Sequence, residues 1–442
     1  MSIGRLLGRS SVLMAARFAG AGLAFAGNIA IARFLGADAL GVFALCMAVA
    51  SLIAVILPLG RQATATLFVS EYIANVHHGL LKGYLRNGYA IIWRMTAAAI
   101  GAGAVGVMAL MGQVTFSTLL TVAFALAMAP ALAFISFNGG VLTGARRQFS
   151  AFLPESLLKP AFILLAVFVS ALALKKEGSA LLLGIICAGC WITAGTQVWL
   201  MRSTELVPGG VDEDRDATRW TRTGWPWMFI SLLWDYFIEL HLLLAGLIAT
   251  TAEIAVLHIC FRLRVLAGFG MRALYALVLP DLYGANARED RAALFSSLSR
   301  ANALALGYAG SVCVGVWFVG EFALGLVDGS FKSAHGALMV MCMTMVARAV
   351  FGPATAVLAM KGHQLPSLYS LTGGLSVSVL LSLVLFPLYG IMGIAIAYLA
   401  ATSLIAVVQW QLAWRLTGID CSLFAKLRRA PDEDPSLPEP VR

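Results

Sequence analysis

Three observations predict an all-α polytopic membrane protein of about twelve transmembrane helices in two six-helix lobes. The 442-residue chain is 60% hydrophobic and only 12% charged, whereas a soluble domain holds roughly 45–50% apolar and about 25% charged residues. Its mean hydropathy is +0.87. The apolar runs are continuous and lack the two-residue alternation of an outer-membrane barrel. Helices, which satisfy their own backbone groups, are therefore the predicted spanning structure.

A helix needs about 20 mostly apolar residues to cross the hydrocarbon core. By that criterion spans fall near 11–33, 38–59, 88–112, 115–137, 153–174 and 179–201. Six more fall near 223–248, 252–280, 301–320, 334–360, 364–387 and 390–414. The first run has full span length and no clear small-residue cleavage site, so it is read as a span and not as a signal peptide. Lysines and arginines set the orientation, because cytoplasmic loops are enriched in them. With a cytoplasmic N-terminus, and with Lys159 and Arg33 assigned to the sides their span ends border, 21 of the 31 lie on the cytoplasmic side, 4 lie opposite (Arg33, Lys175, Lys176, Lys332) and the other 6 lie inside spans. Both termini are expected in the cytoplasm. The net charge of +9 is mostly this bias. No nucleic-acid partner is expected, since no basic run carries interleaved aromatics.

The chain repeats weakly at a spacing of about 215 residues: Val141-Leu142 with Gln148 matches Val357-Leu358 with Gln364, Asp38 matches Glu253, Gly178 matches Gly393 and Trp199 matches Trp414. The repeat predicts an N-terminal lobe over 1–201, a cytoplasmic linker over 202–222 and a C-terminal lobe over 223–420. Parallel repeats of this kind place cargo between the halves near the midplane. The linker carries Pro208-Gly209-Gly210 and a charge run over 212–216, read as a solvated loop. Residues 421–442 read as a disordered cytoplasmic tail, acidic and proline-rich from Pro431.

A charge at membrane depth is costly and is kept mainly where it faces a polar cavity or pathway. Arg17, Arg262, Arg264, Arg272 and Arg348 lie inside apolar runs, and Arg94 sits near a cytoplasmic end. Arg17 and Asn28 are three helical turns apart, and His258 and Arg262 are four residues apart, so each pair shares a face. Arg348 falls near the middle of the 334–360 run, where snorkelling to the interface is hardest, and is the leading anion contact. Arg17 and Arg272 are also explained by the interface. Guanidinium stays charged and offers a planar fork that matches phosphate oxygens. The substrate-binding candidates are Arg17, Asn28, His258, Arg262, Arg264 and Arg348. Asp235 and Glu239, four apart in the seventh run, are the ion-coupling candidates. Cys187 and Cys190 lack the second pair or histidine that a metal site needs, and no metal or cofactor is expected. No G-x-x-x-x-G-K-[ST] is present, so ATP hydrolysis by that route is excluded.

The order of several loose patterns carries a resemblance. These are Ile31 to Ala44 (IARFLGADALGVFA), Pro58-Leu59-Gly60, Ser70-Glu71-Tyr72, Arg262 to Leu266 (RLRVL), Leu279 to Leu282 (LPDL) and Phe386 to Ala397 (FPLYGIMGIAIA). With them the chain resembles the polysaccharide-transporter branch of the MATE-like MOP superfamily, which includes the Wzx-type oligosaccharide flippases. The resemblance implies a cationic central cavity in a bacterial inner-membrane protein. It also implies alternating access that moves an undecaprenyl-diphosphate-linked oligosaccharide to the periplasmic leaflet, coupled to an ion gradient or membrane potential. Membrane lipids, a polysaccharide polymerase and a chain-length regulator are the implied partners. Spans 11 and 12 offer no Asp, Glu or Asn, which weighs against the sodium site of some relatives. The alternative is a MATE-like multidrug or small-solute exporter, for which interior acids should dominate. An enzyme is not expected, because the non-cytoplasmic loops are too short to hold a catalytic site.

Overall fold

The structure, a computed structural model, describes residues 3–109, 116–172, 178–203, 206–288, 290–361 and 363–425, and the side chain of Arg17 lies outside the described residues. Among the described residues eleven helices are long and apolar enough to cross a membrane, or twelve if one bent pair counts as a single span. The expected all-α polytopic class is therefore what the chain adopts. The first helices are α1 (Ile3–Leu35), α2 (Ala37–Ile56), the short α3 (Arg61–Ala74), α4 (His78–Ala109) and α5 (Phe116–Gly144). The next span is composite: α6 (Gln148–Leu153), a π-helical turn (Pro154–Leu158) and α7 (Lys159–Leu172). Pro154 has no N–H to give to the preceding turn, and a widened turn accommodates that loss. The helix α8 (Gly178–Arg202) follows.

The later helices are α9 (Ala217–Trp234), α10 (Phe237–Ile248), α11 (Thr251–Ala287), α12 (Arg291–Gly325), α13 (His335–Phe351), α14 (Ala354–Met360), α15 (Gln364–Tyr389) and α16 (Ile391–Thr417). Two expected spans are broken. The run 223–248 bends by 62° between α9 and α10, where Asp235 and Tyr236, weak helix formers, stand between the two helices. The run 334–360 breaks at Gly352-Pro353. Proline disfavours the helical region for its predecessor, and Gly352 takes φ 72°. A hydropathy window averages across both breaks.

Contacts divide the chain into two compact units, 1–258 and 259–442. The division falls within α11 and not in the 202–222 segment, because α9 and α10 pack on α2 and α3. In the first unit α5 packs on α2, α3, α4 and α8, and α7 packs on α1 and α8. Small residues permit these close approaches: a side chain at Gly20 would meet the Ser156 carbonyl of the π turn. The first turns of α2 and α11 meet, with Thr251 donating to Asp38. Thr250 and Glu253 close a capping box there, Thr250 N to Glu253 Oε2 at 2.9 Å and Glu253 N to Thr250 Oγ1 at 3.3 Å. In the second unit α12 and α16 both pack on α13, and α15 packs on α16. Met271, Ala305, Ala309, Met345 and Ala349 form one buried core there.

The segment after α8 does not float in solvent. Lys82 Nζ donates to Val211 O at 2.7 Å, and Asp214 N donates to Gly79 O at 3.1 Å. Glu213 stands between Arg215 (2.7 Å) and Arg86 (2.6 Å). The Arg215 hydrogen bond, then that of Arg86, holds the Glu213 carboxyl below the usual carboxylate range. Arg219 Nη2 donates to both Glu71 carboxylate oxygens at 2.9 Å, and buried Trp220 donates to Tyr72 Oη at 2.7 Å. Arg61 is buried, and burial lowers its pKa, with Tyr84 partly offsetting. Its guanidinium is satisfied by Asn87 Oδ1 (3.0 Å), Leu59 O (3.2 Å) and Thr221 Oγ1 (2.9 Å). Gly60, at φ 82°, lies against the Gly224 carbonyl with no room for a Cβ.

Two outcomes follow from this packing. Gly60→Ala combines an unfavourable φ with a backbone clash and should lower stability by about 1–3 kcal/mol, read as a lower melting temperature in detergent; an unchanged melt would contradict the packing. A depressed folded pKa makes the Glu213 contribution present above its unfolded value of about 4.3, and it is lost as pH falls through the lower folded value. Amide exchange over 211–216, corrected for intrinsic rates, should accelerate only below that pH in the wild type and already at pH 7 in Glu213→Gln.

Candidate functional site

The second unit gathers arginines. On α11, Arg264 is half-buried and its Nε donates to Thr344 Oγ1 of α13 at 3.0 Å. Its guanidinium also lies 5.1 Å from the ring centre of Tyr398 on α16, a contact worth about 0.5–2 kcal/mol. Phe261 meets the same ring edge-on at 5.1 Å. Arg348 keeps accessible surface although protein atoms crowd its guanidinium, and it lies within electrostatic reach of Arg264, Tyr275, Tyr398 and Arg272. Arg272 is exposed, its guanidinium 5.9 Å from the Phe269 ring centre. Arg262 is half-buried on the same helix. Like charges gathered in this way favour the arrival of an anion.

Arg348 does not sit mid-span, as the 334–360 run implied. It lies in the last turn of α13, one turn before the Gly352 break, and Gly352 N donates to its carbonyl at 2.9 Å. Its depth in the span thus no longer singles it out; its exposure and its arginine neighbours do. Thr344, Tyr275 and Tyr398 were not anticipated. Thr344 is four residues before Arg348, and Tyr275 is three after Arg272. Spacings of three and four put side chains on one helical face, the available signal.

Asn28 and His258 are brought together within the first unit. His258 Nε2 and Asn28 Oδ1 are 3.0 Å apart, and both residues are buried. Asn28 Nδ2 donates to Ala24 O at 2.8 Å, and Phe43 meets the imidazole edge-on at 6.2 Å. This geometry makes an internal bond between α1 and α11. A cargo contact through either residue requires that bond to open.

Asp235 and Glu239 do not share one continuous helical face, because the bend separates them. Asp235 caps α9, its N–H on Ser231 O at 2.8 Å, while Glu239 lies in the first turn of α10, where the helix dipole favours an acid. Tyr236 stands between them within electrostatic reach of Glu239, Glu155 and Asp235. Glu155, in the π turn, was not anticipated; the proline before it is its only mark in the sequence. His241 is buried, with Nδ1 2.7 Å from Phe237 O. Among the described residues no three of His, Cys, Asp and Glu are placed to hold a metal ion.

The Asn28–His258 bond is testable by a double-mutant cycle. Asn28→Ala and His258→Ala should each destabilise, and the double variant should cost less than their sum by about 0.5–1.5 kcal/mol. Additive melting shifts would remove the bond from the account.

Neither a family model nor a curated protein matches this sequence. Solved structures do match. One is an inward-facing multidrug resistance MATE family transporter of the MOP superfamily, at TM-score 0.71 and 15% identity over 90% of this chain and 94% of that one. Another is the lipid II flippase MurJ in an inward closed conformation, at TM-score 0.72 and 14% identity over 90% and 87%. A third is a MOP superfamily transporter from Pyrococcus furiosus whose reversed binding-pocket polarity suggests a different function, at TM-score 0.57 and 15% identity over 91% and 94%. At these identities the likeness establishes architecture, and the chain has the fold shared by these MOP-superfamily transporters.

Proposed function

We propose that the chain is an inner-membrane transporter that flips an undecaprenyl-diphosphate-linked oligosaccharide from the cytoplasmic to the periplasmic leaflet by alternating access. The observation that carries this reading is the gathering of Arg264, Arg272 and Arg348 beside Tyr275 and Tyr398 in the second unit. A diphosphate offers the oxygens that guanidinium forks match, and tyrosines give a sugar both a hydroxyl partner and an apolar face. Arg262 and Arg17 extend the same role, and both termini are cytoplasmic on this reading. Flipping feeds surface-polysaccharide assembly, with a polymerase and a chain-length regulator as downstream partners. Asp235 and Glu239, joined by Glu155, carry the ion coupling. The fold accommodates this cargo class, since a lipid II flippase shares it at TM-score 0.72.

A second reading is a multidrug or small-solute exporter. The MATE likeness at TM-score 0.71 favours it, as do the acids around Tyr236 in the first unit. The Pyrococcus furiosus structure is described as having reversed pocket polarity, so the sign of the charged groups, and not the fold, separates the two.

Arg348→Ala combined with Arg272→Ala removes two of the three clustered charges. In a deletion strain, this variant should insert normally, abolish surface polymer and accumulate lipid-linked repeat units inside the cell. Normal surface polymer from the inserted variant would overturn the assignment.

A further inference from the structure

The stretch Ile419–Ala425, most of it assigned by its sequence to a loose tail, turns back into the second unit. Ile419 and Cys421 belong to a buried core with Leu298, Val357, Leu358 and Ala413. Asp420 Oδ1 accepts from Trp410 Nε1 at 2.8 Å and from Ser422 N at 2.9 Å, which fixes the turn. This hook then engages the end of α13. Leu423 N donates to Val350 O at 2.8 Å, and Cys421 Sγ donates to Phe351 O at 3.4 Å. Those carbonyls belong to the last turn, which a helix leaves without internal partners. A Cβ on Gly352 would strike the Cys421 carbonyl oxygen, so the hook and the break are in direct contact.

Asn302 of α12 ties the hook to the arginine cluster. It is buried, and its Nδ2 donates to Cys421 O at 2.7 Å. Its Oδ1 accepts from Tyr275 Oη at 3.4 Å, and Tyr275 is within electrostatic reach of Arg348. Arg348 is thus bracketed twice. Its own carbonyl accepts from Gly352, which the hook abuts, and its tyrosine neighbour is held by the residue that holds the hook.

We propose that Asn302 is a positioning residue for Arg348, acting through the C-terminal hook Ile419–Ala425, which braces the end of α13. The inference rests on the reading that Arg348 meets the anionic part of the cargo. Neither Asn302 nor the hook touches cargo on this account. Both restrict where the guanidinium can go, and lost positioning weakens binding without removing charge.

The test uses the full chain in detergent with geranylgeranyl diphosphate as probe. Phenylglyoxal modification of Arg348 is followed in parallel by peptide mass spectrometry, with Arg300 as internal reference. Arg348→Ala should lose most of the affinity. Asn302→Ala and truncation after Gly418 should each weaken binding about tenfold, within the range of couplings carried through an intermediate residue. Each should also change the Arg348 modification rate severalfold while Arg300 is unaffected. Truncation after Ala425, which keeps the hook, should match wild type. If truncation after Gly418 prevents insertion, Asn302→Ala decides alone, because it leaves the hook in the chain. Loss of binding in Arg348→Ala with wild-type binding and modification rates in Asn302→Ala would overturn the positioning role and leave the anion reading standing. Wild-type binding by Arg348→Ala would overturn the anion reading, and the modification rates would still decide whether Asn302 positions Arg348.

Discussion

A guanidinium at membrane depth is tolerable only where its donors and its charge are met, and that constraint organises the second unit. Arg264 meets it with one hydrogen bond to Thr344 at 3.0 Å and the face of Tyr398 at 5.1 Å. Those contacts use α13 and α16, so one side chain of α11 ties three helices together. Arg348 is close enough to feel both Arg264 and Arg272, so three positive charges act together there. Holding like charges together opposes folding, and an arriving phosphate relieves that opposition. On the proposed reading, that relief is what draws the anionic cargo to this cluster.

The first unit handles its buried charge differently. Arg61 is buried and is satisfied by neutral oxygens from Asn87, Leu59 and Thr221. These bonds, the Arg219–Glu71 ion pair and the buried Trp220 fasten the start of α9 to α3 and α4. Arg61 therefore stitches helices together, whereas Arg262, Arg264, Arg272 and Arg348 of the second unit stay exposed or half-buried. Exposure separates the two roles where residue type cannot.

The helical class and nearly all the spans were legible, because a run of some twenty apolar residues has few other uses. The arginines at membrane depth were legible as well, since each interrupts such a run. What could not be read were the places where a helix stops inside a run. The bend after Trp234 is invisible to a window that averages over it, and it parts Asp235 from Glu239. Gly352-Pro353 was visible as residues but was smoothed away in the same manner, which misplaced Arg348 to mid-span. The hook was hidden for another reason. Cys421 and Leu423 look like tail residues until Asn302 donates to the Cys421 carbonyl and Leu423 N donates to Val350 O. Asn28 and His258 were legible as polar residues in apolar helices, but nothing in their sequence said that they bond each other.

The central claim is that the arginines of the second unit select a lipid diphosphate over a cation. Transport by the reconstituted full chain in liposomes, with a fluorescent polyprenyl-diphosphate oligosaccharide and a cationic dye offered side by side, tests that most directly. The account predicts that the lipid-linked sugar changes leaflet and that the dye neither moves nor competes. Movement of the dye with no movement of the lipid would contradict it.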